Sequence, residues 1–259
     1  MGSIAESPPG TVKCRLAAIR FTHKRAGFAS PFDSAPTFEA VYQGYLRRWA
    51  GSHRPKQSAA TEDVVKQMVN CWREGDVAVR NRAILLIGFD AALRRSEIVG
   101  IDTEHCSWDQ DGLLLYLPQS KGDQLGEGNT ILILRRTASA YCPVESLSRW
   151  LQIASITEGP IFRRFHRNGK QTTLGTQRLS CKSIYNLVKQ SAKKAGIEGN
   201  FGAHSLRRGF INSAVRESSS LTDVQQHVRH KSLETTSRYL RTQPTSNHPG
   251  NTLLGGTGK

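Results

Sequence analysis

The sequence predicts a mainly α-helical fold with a small antiparallel β-sheet, an α+β arrangement, on three observations. Apolar residues recur at helical spacing through most of the chain. The period changes to short apolar runs at 113–117 and 131–134, which bracket a polar segment with three glycines. Helical spacing then resumes from Pro143 onward. With 259 residues, 37% of them hydrophobic and 22% charged, the chain has material for one large domain or two small ones, each with its own core.

The first helix carries the stripe Val12, Leu16 and Ile19, and its other faces hold Lys13, Arg15, Arg20, Lys24 and Arg25. A second stripe, Phe38, Val41, Tyr42, Tyr45, Leu46 and Trp49, keeps helical spacing for three turns and ends near Gly51. The following stretch is polar, contains Pro55 and lacks periodicity, so residues 1–52 read as a small helical domain and 53–60 as a linker. Thr61 is placed to cap a helix whose face is Val64, Val65, Met68 and Trp72, and another helix covers about 79–89. The apolar runs then form a β-hairpin. After it come a helix starting at Pro143 with Leu147, Trp150 and Leu151, and one with Ile184, Leu187, Val188 and Ala192 ahead of Gly196. A second domain thus spans 61–241, and 242–259 reads as a flexible tail rich in threonine, glycine and asparagine.

Lysine and arginine outnumber aspartate and glutamate by 36 to 21, a formal +15, which favours a polyanionic partner such as nucleic acid. The five cysteines are scattered with no C-x-x-C pair, against a zinc or dithiol centre and in keeping with a reducing compartment. No apolar run approaches the roughly 20 residues of a membrane helix. The expectation from these properties is a soluble, cytoplasmic protein with no membrane partner.

Four clusters hold side chains suited to chemistry. Arg94 and Glu97 lie three residues apart, on one face of a helical turn, a spacing that by itself describes an ordinary ion pair. Lys121 sits in the hairpin loop, where a protonated amine can reach a bound ligand, as any surface lysine can. His204 and Arg207 share a helical face beside Arg208; the arginine offers a planar fork for phosphate oxygens, the histidine a proton shuttle or simply a core or capping group. His230 and Tyr239 are nine residues apart, with Leu233 and Leu240 available to bury the other side of a short helix.

Taken in order, Leu-Arg-x-x-Glu, the hairpin lysine, His-x-x-Arg, and a late histidine followed nine residues on by tyrosine, this set resembles the tyrosine recombinase (phage integrase) family. The resemblance implies a catalytic domain that, together with a helical domain, clasps double-stranded DNA. It implies a DNA-associated protein performing site-specific recombination without metal, ATP or other cofactor, with strands exchanged in integration, excision or resolution. Tyr239 would be the nucleophile of a covalent 3′-phosphotyrosine intermediate, Arg94 and Arg207 the phosphate ligands, and Lys121 the acid at the leaving oxygen. His204 would assist proton transfer, His230 would contact the phosphate, and Glu97 would support them. Lys13, Arg15, Arg20, Lys24, Arg25 and Arg208 are the candidate DNA-binding side chains. A homotetramer on two DNA sites follows from the resemblance, and accessory DNA-bending proteins are compatible with it. The chain departs from the pattern at Arg229, where members have glycine before the late histidine, which predicts an altered turn at His230. The helical domain is also short, with two helices. Two neighbouring readings stay open: a type IB topoisomerase-like enzyme relaxing one duplex, and a DNA-binding protein of the same fold without turnover. The glycine-rich 255–259 segment ends the sequence on a lysine with no helix after it, so a nucleotide-binding loop is set aside.

Overall fold

The computed structural model describes residues 7–33, 35–50, 57–118, 128–136, 138–168, 171–217, 219–230 and 232–240, without the side chains of Pro36, Arg167, Asn168, Gln171, Arg238, Tyr239 and Leu240. The chain divides into two compact units, Met1–Lys56 and Gln57–Lys259.

The first unit holds two helices, α1 (Pro9–Arg25) and α2 (Pro36–Trp49), each opened by a proline whose missing N–H costs nothing in the first turn. Val12 of the predicted α1 stripe is buried, Leu16 is half-buried and Ile19 is exposed. The α2 stripe is an aromatic stack, Phe32 on Phe38, Phe38 on Tyr42 and Tyr42 on Tyr45, with ring centroids 4.5, 5.9 and 6.2 Å apart.

The second unit carries the main core. Helix α3 (Glu62–Asn70) begins after Thr61 as predicted, but no Thr61 side-chain bond caps it; the Glu62 N–H donates instead to Ser213 Oγ at 3.1 Å. Helix α4 (Asp76–Asp90) buries nine of its residues and forms the centre of the unit, as its near-continuous apolar run requires. A short helix, α5 (Arg95–Gly100), leads into a three-stranded antiparallel sheet of β1 (Cys106–Trp108), β2 (Gly112–Leu117) and β3 (Asn129–Leu134), in that order. The predicted hairpin is β2–β3, registered Leu115 opposite Ile131 and Leu113 opposite Ile133. Leu113, Leu115, Leu117, Ile131 and Ile133 point inward, and the intervening Leu114, Tyr116, Leu132 and Leu134 are exposed.

Helix α6 (Pro143–Ile153) has Pro143 in its first turn, and its Trp150 is fully buried, donating its indole N–H to Ile161 O at 2.7 Å. A second hairpin, β4 (Arg163–Asn168) with β5 (Gln171–Arg178), was not expected from the sequence. Helices α7 (Cys181–Lys194), α8 (Ala203–Arg216), α9 (Leu221–Val228) and α10 (Leu233–Leu240) complete the unit; Ser180 and Ser220 cap α7 and α9 through bonds from Ser183 and Asp223 N–H, both 3.1 Å. The path from 57 to 62 runs along α8, with Ala60 N–H on Ser205 O at 2.9 Å. Gly209 makes this approach possible, because a Cβ there would lie 1.6 Å from Ala60 O. Among the described residues no helix is long and apolar enough to cross a membrane, and all five cysteines are free.

Candidate active site

Three chain segments meet at the N-terminal turn of α8: the turn joining α4 to α5, α8 itself, and the turn after α9. The first turn is tight. Ala92 has φ +46°, a left-handed conformation that costs a residue with a Cβ about 1–2 kcal/mol, and its carbonyl accepts from Arg207 Nη1 at 2.8 Å. The other terminal nitrogen of Arg207 donates to Val228 O, at the end of α9. One arginine, 1% exposed, therefore ties the α4–α5 turn to α9. Carbonyls orient a guanidinium and leave it charged, and the field of Arg207 reaches both histidines of the site, as their pKa values show below.

Arg94 is the N-cap residue of α5, and Glu97 sits one turn on. Glu97 Oε2 accepts the Arg94 N–H at 2.8 Å, and Oε1 pairs with Arg94 Nη1 at 2.5 Å. Burial alone would raise the Glu97 carboxyl, but the Arg94 N–H, the Arg229 charge and the Arg94 guanidinium more than offset it, so its pKa falls below the usual range. The carboxylate is 2% exposed, whereas the Arg94 side chain keeps 23% of its surface open.

His204, in the first turn of α8, is open to solvent at its edge yet deep enough among cations that its pKa falls, from desolvation first and then from Arg207, Arg94 and Arg208. His230 is pushed down to about 4 by desolvation, followed by Arg207, Arg94, His204 and Arg229. Both imidazoles are accordingly neutral near pH 7 and act there as directional hydrogen-bonding groups. His230 is held at three points: its N–H donates to Gln225 O at 3.1 Å, its carbonyl accepts from Gln225 Nε2 at 3.0 Å, and Nδ1 bonds the buried Thr236 Oγ1 at 2.9 Å. Gln225 and Thr236 thereby join the site. The sequence spacing of His230 and Thr236 carried no signal for them until α10 folded back.

The turn at His230 is not altered by the missing glycine. Arg229 adopts φ +57° and ψ +47°, the left-handed geometry a glycine would supply. Its guanidinium pairs with Glu97 Oε2 at 3.1 Å and donates to His227 O at 2.9 Å and Ala91 O at 3.3 Å. Sequence reasoning marked Arg229 as a departure and missed it as a member of the site.

The structure thus brings together Arg94, Glu97, His204, Arg207 and His230. Lys121 lies outside the described residues. Tyr239 lies on α10, downstream of Thr236, and its side chain is likewise outside them. Arg208 donates to Gln57 O at 3.1 Å on the back of α8. In the first unit Lys13, Arg15, Lys24 and Arg25 are exposed on α1, and Arg20, also exposed, pairs with Asp33 at 3.8 Å and lies over the Phe32 ring. Among the described residues Asp102, Glu104 and His105 come close enough for a cation. Asp102 is occupied by a two-oxygen pairing with Arg178 at 2.6 and 2.8 Å, and His105 Nδ1 by the Asp102 N–H at 3.0 Å, so the cluster reads as a structural knot.

The site of this unit is one buried arginine, one half-buried arginine, a buried carboxylate and two neutral imidazoles. The sequence model of the phage integrase family matches residues 59–246, and the chain belongs to that family. It is 33% identical over 238 residues to the integrase/recombinase xerD homolog of Selenomonas ruminantium, covering 91% of this chain and 69% of the relative. It is 26% identical over 186 residues to tyrosine recombinase XerC of Vibrio vulnificus, covering 72% of this chain and 54% of XerC, so the chain spans about half the length of that relative. The fold is similar to that of the XerH site-specific recombinase in a post-cleavage DNA complex, with TM-score 0.57 and 18% identity over 74% of this chain and 51% of XerH. It is also similar to XerA recombinase, with TM-score 0.56 and 16% identity over 100% of this chain and 86% of XerA.

Proposed function

We propose that this chain is a site-specific DNA recombinase that cuts and rejoins strands through a covalent link to Tyr239. The observation that carries the reading is the convergence of Arg94, Arg207, His204 and His230, near enough that the two arginines depress both histidines. The family match and a formal charge of +15 support it. A phosphodiester resists nucleophiles because it is an anion. Arg94, braced by Glu97, and Arg207, braced by two carbonyls, would take its non-bridging oxygens and stabilise the charge that builds at phosphorus during attack. The Tyr239 oxygen attacks in line, forming a 3′-phosphotyrosyl bond as the 5′-oxygen leaves and is protonated, with Lys121 the proposed donor. The cut bond's energy is kept in the new ester, so resealing by a second 5′-hydroxyl needs no ATP, and arginine charge stands where a metal would otherwise serve. Neutral His204 accepts the tyrosine proton, and neutral His230 donates to phosphate. Exchange between two DNA sites, on a tetramer of this chain, completes the proposal.

The test is covalent trapping on nicked duplexes carrying sequences from the gene's own neighbourhood, in EDTA, with wild type and Tyr239→Phe. A protein–DNA adduct that survives denaturation and is lost in the variant supports the nucleophile. Product topology then separates exchange between duplexes from relaxation of one. Specific, salt-sensitive binding with no adduct would overturn the catalytic reading in favour of a DNA-binding protein.

A further inference from the structure

We propose that Arg229 is a positioning residue of this site: from its left-handed backbone position beside His230 it grips Glu97, and through Glu97 it fixes the guanidinium of Arg94. The proposal rests on the recombinase reading for its purpose and on geometry for its content. Glu97 has two oxygens and three donors upon them. Oε2 accepts both the Arg94 N–H, at 2.8 Å, and Arg229 Nη2, at 3.1 Å, while Oε1 holds Arg94 Nη1 at 2.5 Å. Rotating the carboxylate away from Arg94 breaks a bond to Arg229. Side-chain exposures of 8% for Arg229 and 2% for Glu97 leave little room for water to replace either partner.

The second terminal nitrogen of Arg229 donates to His227 O and Ala91 O, one at the end of α9 and the other just before the strained Ala92. The guanidinium therefore bolts the turn that presents His230 to the turn that presents Arg94, beside the parallel bolt made by Arg207. A glycine would take the same backbone conformation without cost, yet could make none of these bonds. A left-handed arginine persists because the bonds its side chain makes over-determine it. The pairing also supplies charge logic, since Glu97 is held by an arginine on each side, while Arg94 keeps 23% of its side chain exposed.

The test uses the full chain with Arg229→Gly, which relieves the backbone and deletes the grip, Arg229→Gln, which keeps a shorter polar side chain and deletes the charge, and Arg229→Lys, which restores charge without the fork. Carbon-detected NMR follows the Glu97 carboxyl through a pH titration, and nitrogen-edited spectra follow the Arg94 Nη–H groups, one of which bonds Glu97. The expected results are an upward shift of the Glu97 midpoint and faster exchange of the Arg94 Nη–H protons in Arg229→Gly and Arg229→Gln, with the midpoint moving back toward wild type in Arg229→Lys. Adduct formation per bound complex should fall roughly tenfold or more in the first two, as misplacement of one catalytic group allows. A Glu97 midpoint and an Arg94 signal identical to wild type in whichever of the two charge-deleting variants folds would overturn the proposal. If wild type forms no adduct, the recombinase reading fails alone, and the two NMR readouts still decide whether Arg229 holds Glu97 and Arg94.

Discussion

Alanine in place of Gly209 drives a methyl group into backbone. The added Cβ would lie 1.6 Å from Ala60 O, 2.1 Å from Ala60 C and 2.9 Å from Thr61 N, none of which is the flexible end of a side chain. Helix α8 must move away from residues 60–61, or the strand of chain must peel off the helix. Overpacking of this kind costs about 1–3 kcal/mol. Separation also threatens the bonds from Ala60 N–H to Ser205 O, 2.9 Å, and from Glu62 N–H to Ser213 Oγ, 3.1 Å, at about 1 kcal/mol each. The sum is about 3–5 kcal/mol, which for a domain of this size lowers Tm by roughly 10 °C. Because α8 carries His204 and Arg207, the same displacement should weaken adduct formation in whatever fraction stays folded. Thermal unfolding followed by circular dichroism measures the first effect, with Ser213→Ala, expected to lose only about 3 °C, as the graded comparison. A Gly209→Ala protein melting within about 2 °C of wild type would refute the packing argument.

Three further outcomes follow from the site. The His230 imidazole should titrate near 4 by NMR, and a midpoint near histidine's ordinary 6.5 would contradict its desolvation among arginines. Since its folded pKa is depressed, the contribution to stability is complete above 6.5 and is lost as pH falls through about 4; the full shift is worth about 3 kcal/mol and roughly half that after solvent screening, measurable by urea unfolding at pH 7 and pH 4. Glu97→Gln removes the carboxylate between Arg94 and Arg229 and should destabilise the unit by about 3 kcal/mol; unchanged urea midpoints would show that the buried pairing contributes nothing net. Thr236→Val deletes the 2.9 Å bond to His230 Nδ1 while keeping shape, for a loss of about 1 kcal/mol and slower adduct formation, and wild-type adduct kinetics would remove Thr236 from the site.

What was legible in the sequence shares one physical property, a periodic buried face or a short spacing. Helix α4 shows as an apolar run because it is buried nearly all round, and the β2–β3 hairpin shows because its strands are short unbroken apolar runs on either side of a polar, glycine-bearing segment. The β4–β5 hairpin was invisible for the opposite reason. Its strands are basic and threonine-rich, and the core contact comes through Phe165 and Leu174, which face each other in register and leave no alternation to read. In the site, Arg94 with Glu97 and His204 with Arg207 lie within single turns, so helical geometry alone pairs them. Arg229 with Glu97 are separated by 132 positions, and Arg207 with Ala92 by 115, and such pairs exist only once α8 and α9 have closed over the α4–α5 turn.

On the proposed reading, that closure gives Arg207 an advantage over a surface arginine. A surface arginine pays rotamer entropy each time it meets a phosphate, and its pairing there is screened to a fraction of a kcal/mol. Arg207 has met that cost on folding, because carbonyls of Ala92 and Val228 hold its guanidinium before any ligand arrives. The same bonds anchor α9 and thereby the turn that presents His230. On the proposed recombinase reading, stability and phosphate recognition draw on one set of contacts, and a substitution at Arg207 should strike both together, whereas one at His204, an exposed residue, should strike chemistry while leaving the fold standing.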